Sequence, residues 1–215
     1  MCPTIGAATV YLVDDDRSMR EAISSLVRSV GLNVETFSSA REFLDHVRSE
    51  ACACLVLDVR MPRMSGFDLQ HALREKGVDI PIIFITGHGD IPMAVRAIKS
   101  GALEFLPKPF RDDELLEAIN KALNVDQEVR EHKAELDKVW KKHESLTDRE
   151  KEVFSLIAKG LLNKQIAGHL GVAEVTIKVH RHNVTKKMGV RTLADLVRLY
   201  ERLKSIGLIN NVHEK

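Results

Sequence analysis

No apolar run in the 215 residues approaches the roughly 20 needed to cross a bilayer. The first residues also lack a basic stretch followed by an apolar signal core, so a cytoplasmic protein without a membrane partner is expected. Cysteine is scarce. Cys2, Cys52 and Cys54 have no His or further Cys nearby at ligand spacing, which argues against a metal or redox centre and for buried thiols. No Gly-rich phosphate loop is present, which weighs against a nucleotide-binding module. The chain is longer than one average domain requires, so two domains are expected.

The net charge of +1 conceals an asymmetry. Residues 1–123 hold 14 Lys/Arg against 18 Asp/Glu, a net of −4, and residues 124–145 hold 5 against 6. Residues 146–215 hold 13 against 7, a net of +6, so only this last part is suited to meet a polyanion.

The first part alternates apolar runs with amphipathic stretches. Runs at 9–13, 33–37, 53–58, 80–86 and 103–107 read as strands, and 18–30, 39–49, 66–76, 91–100 and 111–123 as helices. Gly31, Gly77 and Gly101 follow three of these helices, where a positive φ is needed, and Asp90 is placed to cap the helix that opens Ile91-Pro92. Ala53–Asp58 shows no polar alternation, as expected of a strand covered on both faces in a parallel sheet. Carboxylates or other reactive groups close four of the runs: Asp14 and Asp15, Asp58, Thr86, and Lys108. In an open α/β sheet these ends converge where ligands bind.

Taken singly, each Asp could cap a helix or start a turn. Together, three carboxylates crowd one edge and require a cation, for which an all-oxygen donor set suits Mg²⁺. An aspartate neutralised in this way can attack phosphorus, with Lys108 balancing charge and Thr86 hydrogen-bonding a phosphoryl oxygen.

Val13-Asp14-Asp15-Asp16, Leu57-Asp58-Val59-Arg60-Met61-Pro62, Ile85-Thr86-Gly87-His88-Gly89-Asp90 and Phe105-Leu106-Pro107-Lys108-Pro109-Phe110 resemble the receiver domain of two-component response regulators. That resemblance implies a flavodoxin-like (βα)5 fold with a central parallel sheet. It also implies that Asp58 accepts phosphate from a sensor histidine kinase. Asp14, Asp15, Asp58 and the Arg60 carbonyl would hold Mg²⁺, with Thr86 and Lys108 on the phosphoryl group and a cis Lys108–Pro109 bond. Thr86 and Phe105 match the family's switch pair, whose rearrangement would reshape the 91–110 surface and pair two receivers. A phosphatase working through an aspartyl phosphate would need a second acid–base Asp two residues after Asp58, where Arg60 stands. A small-molecule-gated activator would need a ligand pocket in the first part, which buried strands with acidic ends do not suggest.

Residues 124–145 lack Gly and Pro, are densely charged, and carry a sparse apolar series at Val125, Val129, Leu136, Val139 and Trp140. They read as a helical linker, too short for a conventional coiled coil, with Asp137–Lys141 an attractive pair and Trp140 packed on one domain. Thr147 and Glu150 have capping-box spacing, and Asn163 is placed to cap a short helix that ends at Gly171. Glu174–Met188 then puts cations on one side, with Ile177, Val184 and Met188 on the other. Helix, Gly-containing turn and second helix is the helix-turn-helix pattern.

Leu146-Thr147-Asp148-Arg149-Glu150, Asn163-Lys164-Gln165-Ile166-Ala167 and Thr176-Ile177-Lys178-Val179-His180-Arg181 resemble the LuxR-type DNA-binding domain of the FixJ/NarL family. The whole chain is similar to the FixJ and StyR/TodT regulators. The resemblance implies Lys178, Val179 and His182 facing bases in promoter DNA, Thr176, Arg181, Lys186 and Lys187 on phosphates or neighbouring bases, and RNA polymerase as a further partner. The expected layout is a receiver over 1–123, a linker over 124–145 and an all-α four-helix DNA-binding domain over 146–215. A phosphorylation-activated transcription regulator, not an enzyme, is the expected function.

Overall fold

The computed structural model describes residues 8–46, 51–87 and 91–209. The expected Asp90 cap and the end of the 39–49 helix lie outside them, as does Cys2. The chain divides into two compact units, Met1–Arg130 and Glu131–Lys215.

The first unit contains strands β1 (Thr9–Val13), β2 (Asn33–Phe37), β3 (Ala53–Asp58), β4 (Ile82–Thr86) and β5 (Glu104–Pro107), all parallel in the order β2-β1-β3-β4-β5. Helices α1 (Arg17–Ser29), α2 (Ala40–His46), α3 (Gly66–Glu75) and α4 (Ile91–Lys99) connect the strands, and α5 (Asp112–Glu144) follows them. The side chains of β1 alternate between two cores. Val10 and Leu12 join Ile23 and Val27 of α1 and Leu115 and Ile119 of α5, whereas Tyr11 and Val13 join Phe43 of α2, Leu69 of α3 and Ala97 of α4. Both faces of the central strands are therefore dry, which is why β3 lacks polar alternation, whereas the edge strand β2 is largely exposed. Every residue of β3 is buried, and each Leu or Val side chain taken from water there contributes about 1.5–3 kcal/mol. Cys54 is fully buried and Cys52 partly so in the core beneath α1 and α5. Among the described residues neither forms a disulfide.

Local signals account for the helix ends. The Asp16 carboxylate accepts from Ser18 N and Met19 N at 2.8 and 3.4 Å and starts α1. Gly31, Gly77 and Gly101 have φ values of 80°, 67° and 87°. The helix expected to end near 123 instead runs on through the charged stretch as one 33-residue helix. Nothing between 112 and 144 breaks it, because no Gly or Pro occurs there. Asp126 anchors its middle: the carboxylate, 3% exposed, accepts the Ala53 N–H at 2.9 Å and pairs with Arg130 Nε. No ion pair joins Asp137 to Lys141 among the described residues; Glu135 is paired instead, with Arg202 at 3.3 Å.

The second unit adds α6 (Asp148–Ala158), α7 (Asn163–Leu170), α8 (Glu174–Met188) and α9 (Leu193–Ser205). Thr147 and Glu150 form the expected reciprocal capping box. Asn163 does not cap α7. Leu162 is the cap residue, its N–H donating to Gln165 Oε1 at 2.8 Å, while Asn163 Oδ1 accepts from Arg181 Nη1 at 3.0 Å. Gly171 (φ 64°) makes the turn into α8, and Gly189 (φ 71°) ends it. Val153, Phe154 and Ile157 of α6, Ile177, Val184 and Met188 of α8, and Leu196 and Tyr200 of α9 form the core, against which Val139 and Trp140 pack. No helix among the described residues is long and apolar enough to cross a membrane.

Candidate functional site

The parallel register delivers the four strand ends to one edge. Asp14, Asp15 and Asp58 each bring a carboxylate oxygen within 4.8 Å of the others. Lys108 Nζ lies between two of them, 2.7 Å from Asp14 Oδ2 and 3.1 Å from Asp58 Oδ1. Asp14 is 1% exposed and Asp58 5%, while Asp15 is open to solvent. Three carboxylates against one ammonium leave an excess of two negative charges in a partly dry site. A divalent cation offsets that excess, and oxygen donors alone favour a hard ion.

The electrostatics bear this out. Burial pushes the Asp58 carboxyl up, Lys108 draws it down, and the neighbouring Asp14 and Asp15 push it up again, leaving it above the ordinary carboxylate value. Burial lowers the affinity of Lys108 for its proton, but Asp14 and Asp58 outweigh this and raise its pKa. The ammonium thus stays charged and holds Asp58 in place.

Several backbone features aim this group. Asp14 Oδ1 accepts the Asp16 N–H at 2.8 Å, and the Asp14 carbonyl accepts from Arg20 Nη1 at 2.6 Å. Lys108 N donates to the Thr86 carbonyl at 2.7 Å, linking β4 to the turn that carries the ammonium. The Lys108–Pro109 bond is cis. Thr86 is fully buried, and Phe105 is half-buried against the core beneath α4. Arg60 is exposed immediately after β3. Gly66 N donates to the Val59 carbonyl, and a Cβ at Gly66 would lie 2.4 Å from the Asp58 carbonyl oxygen. Only glycine lets α3 approach the end of β3 this closely. Sequence spacing gave no sign of this approach, nor of the brace from Arg20 six residues beyond Asp14. Ile91, Val95 and Ile98 on α4 are 81%, 45% and 48% exposed, so an apolar strip faces water.

In the second unit α8 presents Val175, Lys178, Val179, His182 and Lys186 outward. Val175 and Val179 are 66% and 56% exposed, an unusual place for valine on a solvated helix. Lys178 has a loose pair with Glu174 at 3.6 Å. Thr176 and Arg181 are half-buried, and Arg181 is held by Asn163. Lys187 is engaged inside the domain: its Nζ lies 2.6 Å from Glu150 Oε2 and 3.1 Å from the Ser145 carbonyl. Its position on the basic helix is as expected, but it also joins α8 to the α6 cap, a role that helical spacing does not reveal.

Residues 10–120 match the family of response regulator receiver domains, and residues 144–200 match the bacterial regulatory proteins of the luxR family. The response regulator protein TodT of Pseudomonas putida is 54% identical over 198 residues, covering 92% of this chain and 87% of TodT. The transcriptional regulatory protein FixJ of Bradyrhizobium diazoefficiens is 38% identical over 202 residues, covering 94% of this chain and 97% of FixJ. A solved structure of the response regulator StyR aligns with a TM-score of 0.84 and 54% identity over 91% of this chain and 99% of that one. With a carboxylate-rich edge on a five-stranded parallel sheet and a helix-turn-helix unit beyond it, the chain belongs to the response regulators that join a receiver domain to a LuxR-type DNA-binding domain.

Proposed function

We propose that Asp58 is the phosphoacceptor of a two-component pathway and that its phosphorylation controls promoter binding by α8. The observation that carries this is Lys108 Nζ bridging Asp14 and Asp58 at 2.7 and 3.1 Å beside Asp15. An Asp58 oxygen attacks the phosphorus of a kinase phosphohistidine. The new O–P bond forms as the P–N bond breaks, and the departing imidazole takes up a proton. Asp14, Asp15, Asp58 and the Arg60 carbonyl would hold Mg²⁺, which would supply charge neutralisation at the transferring oxygens. Lys108 keeps Asp58 positioned before transfer and pairs with the phosphoryl group after it. Thr86 reaches a phosphoryl oxygen, and Phe105 follows into the space it leaves, reshaping the 91–110 surface.

The exposed Ile91, Val95 and Ile98 strip then becomes the contact between two receivers. Two DNA-binding domains held together gain avidity for paired half-sites. On DNA, Lys178, Val179 and His182 meet base edges, the valine suiting a thymine methyl. Thr176, Arg181 and Lys186 meet phosphates or neighbouring bases. Lys187 contributes to the field while bracing α8 through Glu150. The regulator would act in the cytoplasm and engage RNA polymerase at its promoters.

The test is phosphate uptake from a small phosphodonor with Mg²⁺, followed by oligomeric state with beryllium fluoride, in wild type and Asp58→Asn. Uptake and dimerisation in wild type alone are expected. Equal uptake by Asp58→Asn would overturn the assignment. For the DNA arm, Lys178→Ala should weaken binding of a chosen promoter by about 1–3 kcal/mol and relax its sequence preference, whereas Lys186→Ala should lower the salt slope by about one.

A further inference from the structure

Helix α1 and the edge strand β2 flank an open cleft of about 420 Å³. That lies within the range of roughly 300–1,000 Å³ typical of small-molecule sites. Its charge runs against that of its domain. Arg17, Arg20 and Arg28 line it from one helix, and the only carboxylate among the lining residues is Glu21. Glu21 is held by Arg17 at 2.8 Å in a pair exposed on both sides, which a more strongly charged anion would displace. The carboxylate of Glu42 on α2 also acts on Arg20, but its Oε2 already accepts from the Ser38 N–H and hydroxyl, both at 2.8 Å. The Arg28 side chain makes no ion pair or hydrogen bond among the described residues.

Ser24 lines the same cleft, and its hydroxyl, which makes no hydrogen bond among the described residues, is open enough to meet a ligand. Ser25 and Thr36 add two further hydroxyls to the wall, and no aromatic ring is present to stack on a base.

We propose that this cleft binds a small phosphorylated polyol of the sugar phosphate class. Guanidinium forks suit a phosphate dianion, with Arg28 and Arg20 as the anchors. Ser24, Ser25 and Thr36 suit the hydroxyls of the polyol. The site is separate from the Asp58 edge but is tied to it by Arg20, which also holds the Asp14 carbonyl.

The test is isothermal titration of the full chain with glucose 6-phosphate and, separately, glucose. It is carried out with the Asp58 edge already occupied by Mg²⁺ and beryllium fluoride. Saturable binding of the phosphate ester with a dissociation constant near a millimolar is expected, with none for glucose. Arg28→Glu, an exposed substitution, should weaken it at least tenfold, and Ser24→Ala several-fold, while both variants keep the circular dichroism of wild type. No saturable binding up to about 10 mM, ten times the expected constant, overturns the proposal. So does equal affinity in Arg28→Glu, or binding that appears only when beryllium fluoride is omitted, which would put the phosphate at Asp58.

Discussion

Replacing Glu150 by Ala tests whether the DNA-binding unit depends on a charge pair that its sequence disguises as a surface lysine. The Glu150 side chain is 4% exposed and accepts from Thr147 N at 2.9 Å and from Lys187 Nζ at 2.6 Å. Burial acts to raise its pKa, but Lys187 and the Thr147 amide prevail and hold the carboxyl below the ordinary range. Truncation leaves the Thr147 N–H without its acceptor, and because Thr147 is exposed the cost is that of a lost helix cap, about 1 kcal/mol, to which the loss of the Lys187 pair adds. Lys187 loses its anion, but at 36% exposure it can return to water, so the 3–5 kcal/mol penalty of a fully buried orphan charge does not apply. A net loss of about 2 kcal/mol follows, or roughly 8–16 °C for a unit of this size. Trp140 is the only tryptophan and packs on the core of this unit, so its fluorescence follows this unfolding alone. Lys187→Met and the double variant complete the cycle, with a coupling of about 1 kcal/mol or more expected between the two residues. Because the folded-state pKa of Glu150 is depressed, the pair's contribution is full above the unfolded value near 4.3 and fades as pH falls through the lower folded value. A melt of Glu150→Ala within a degree of wild type, or additivity in the cycle, refutes the reasoning.

Gly66→Ala should lower receiver stability by about 1–3 kcal/mol, although alanine is the better helix former, because its Cβ would meet the Asp58 carbonyl at 2.4 Å. A urea melt showing stabilisation would refute it. Arg63 holds φ 69° in the loop after β3, so Arg63→Gly should relieve about 1–2 kcal/mol of left-handed strain, partly offset by the added freedom of the unfolded chain. A urea midpoint that rises with an unchanged slope is the expected result, and a fall refutes it. His143 is 7% exposed, its Nδ1 has no partner, and its ring stacks on Trp140 at 5.2 Å. Burial and then Lys151 depress its pKa, Glu144 opposing, so its neutral form is favoured in the fold and stability is lost as pH drops below the unfolded value near 6.5. The Trp140-detected melting temperature should fall by several degrees between about pH 7 and 5 in wild type and stay flatter in His143→Phe. Parallel profiles sink this assignment.

Much of the architecture was open to reading because one physical constraint dominates each segment. Strands buried on both faces leave uninterrupted apolar runs, as in β3 and β4, and although the edge strand β2 is largely exposed, β1, β2 and β3 begin and end as expected. The strand-end residues Asp14, Asp58, Thr86 and Lys108 converge because a parallel sheet puts all its carboxyl ends on one side. What escaped depends on partners chosen across the fold. Asn163 has the composition of a helix cap, yet Arg181, eighteen residues on, takes its side chain, and Gln165 caps α7 from within. The end expected near 123 failed because no local breaker exists and Asp126 fastens the next turns to the start of β3.

Lys187 shows the same limit at the functional surface. Helical periodicity places it among cations facing a polyanion, and the structure does put it on α8. Periodicity is silent about Glu150, which approaches from another helix and takes the charge inward. Bound DNA would have to compete with a 2.6 Å partner that is already nearly dry, whereas Lys178 has only a loose exposed partner at 3.6 Å and Lys186 has no ion-pair partner among the described residues. A phosphate at the surface, screened by water and salt, is the weaker of Lys187's two claimants. In the proposed reading, base recognition would rest on the outward stripe of Lys178, Val179 and His182, and Lys187 would serve it chiefly by fixing the helix that carries them.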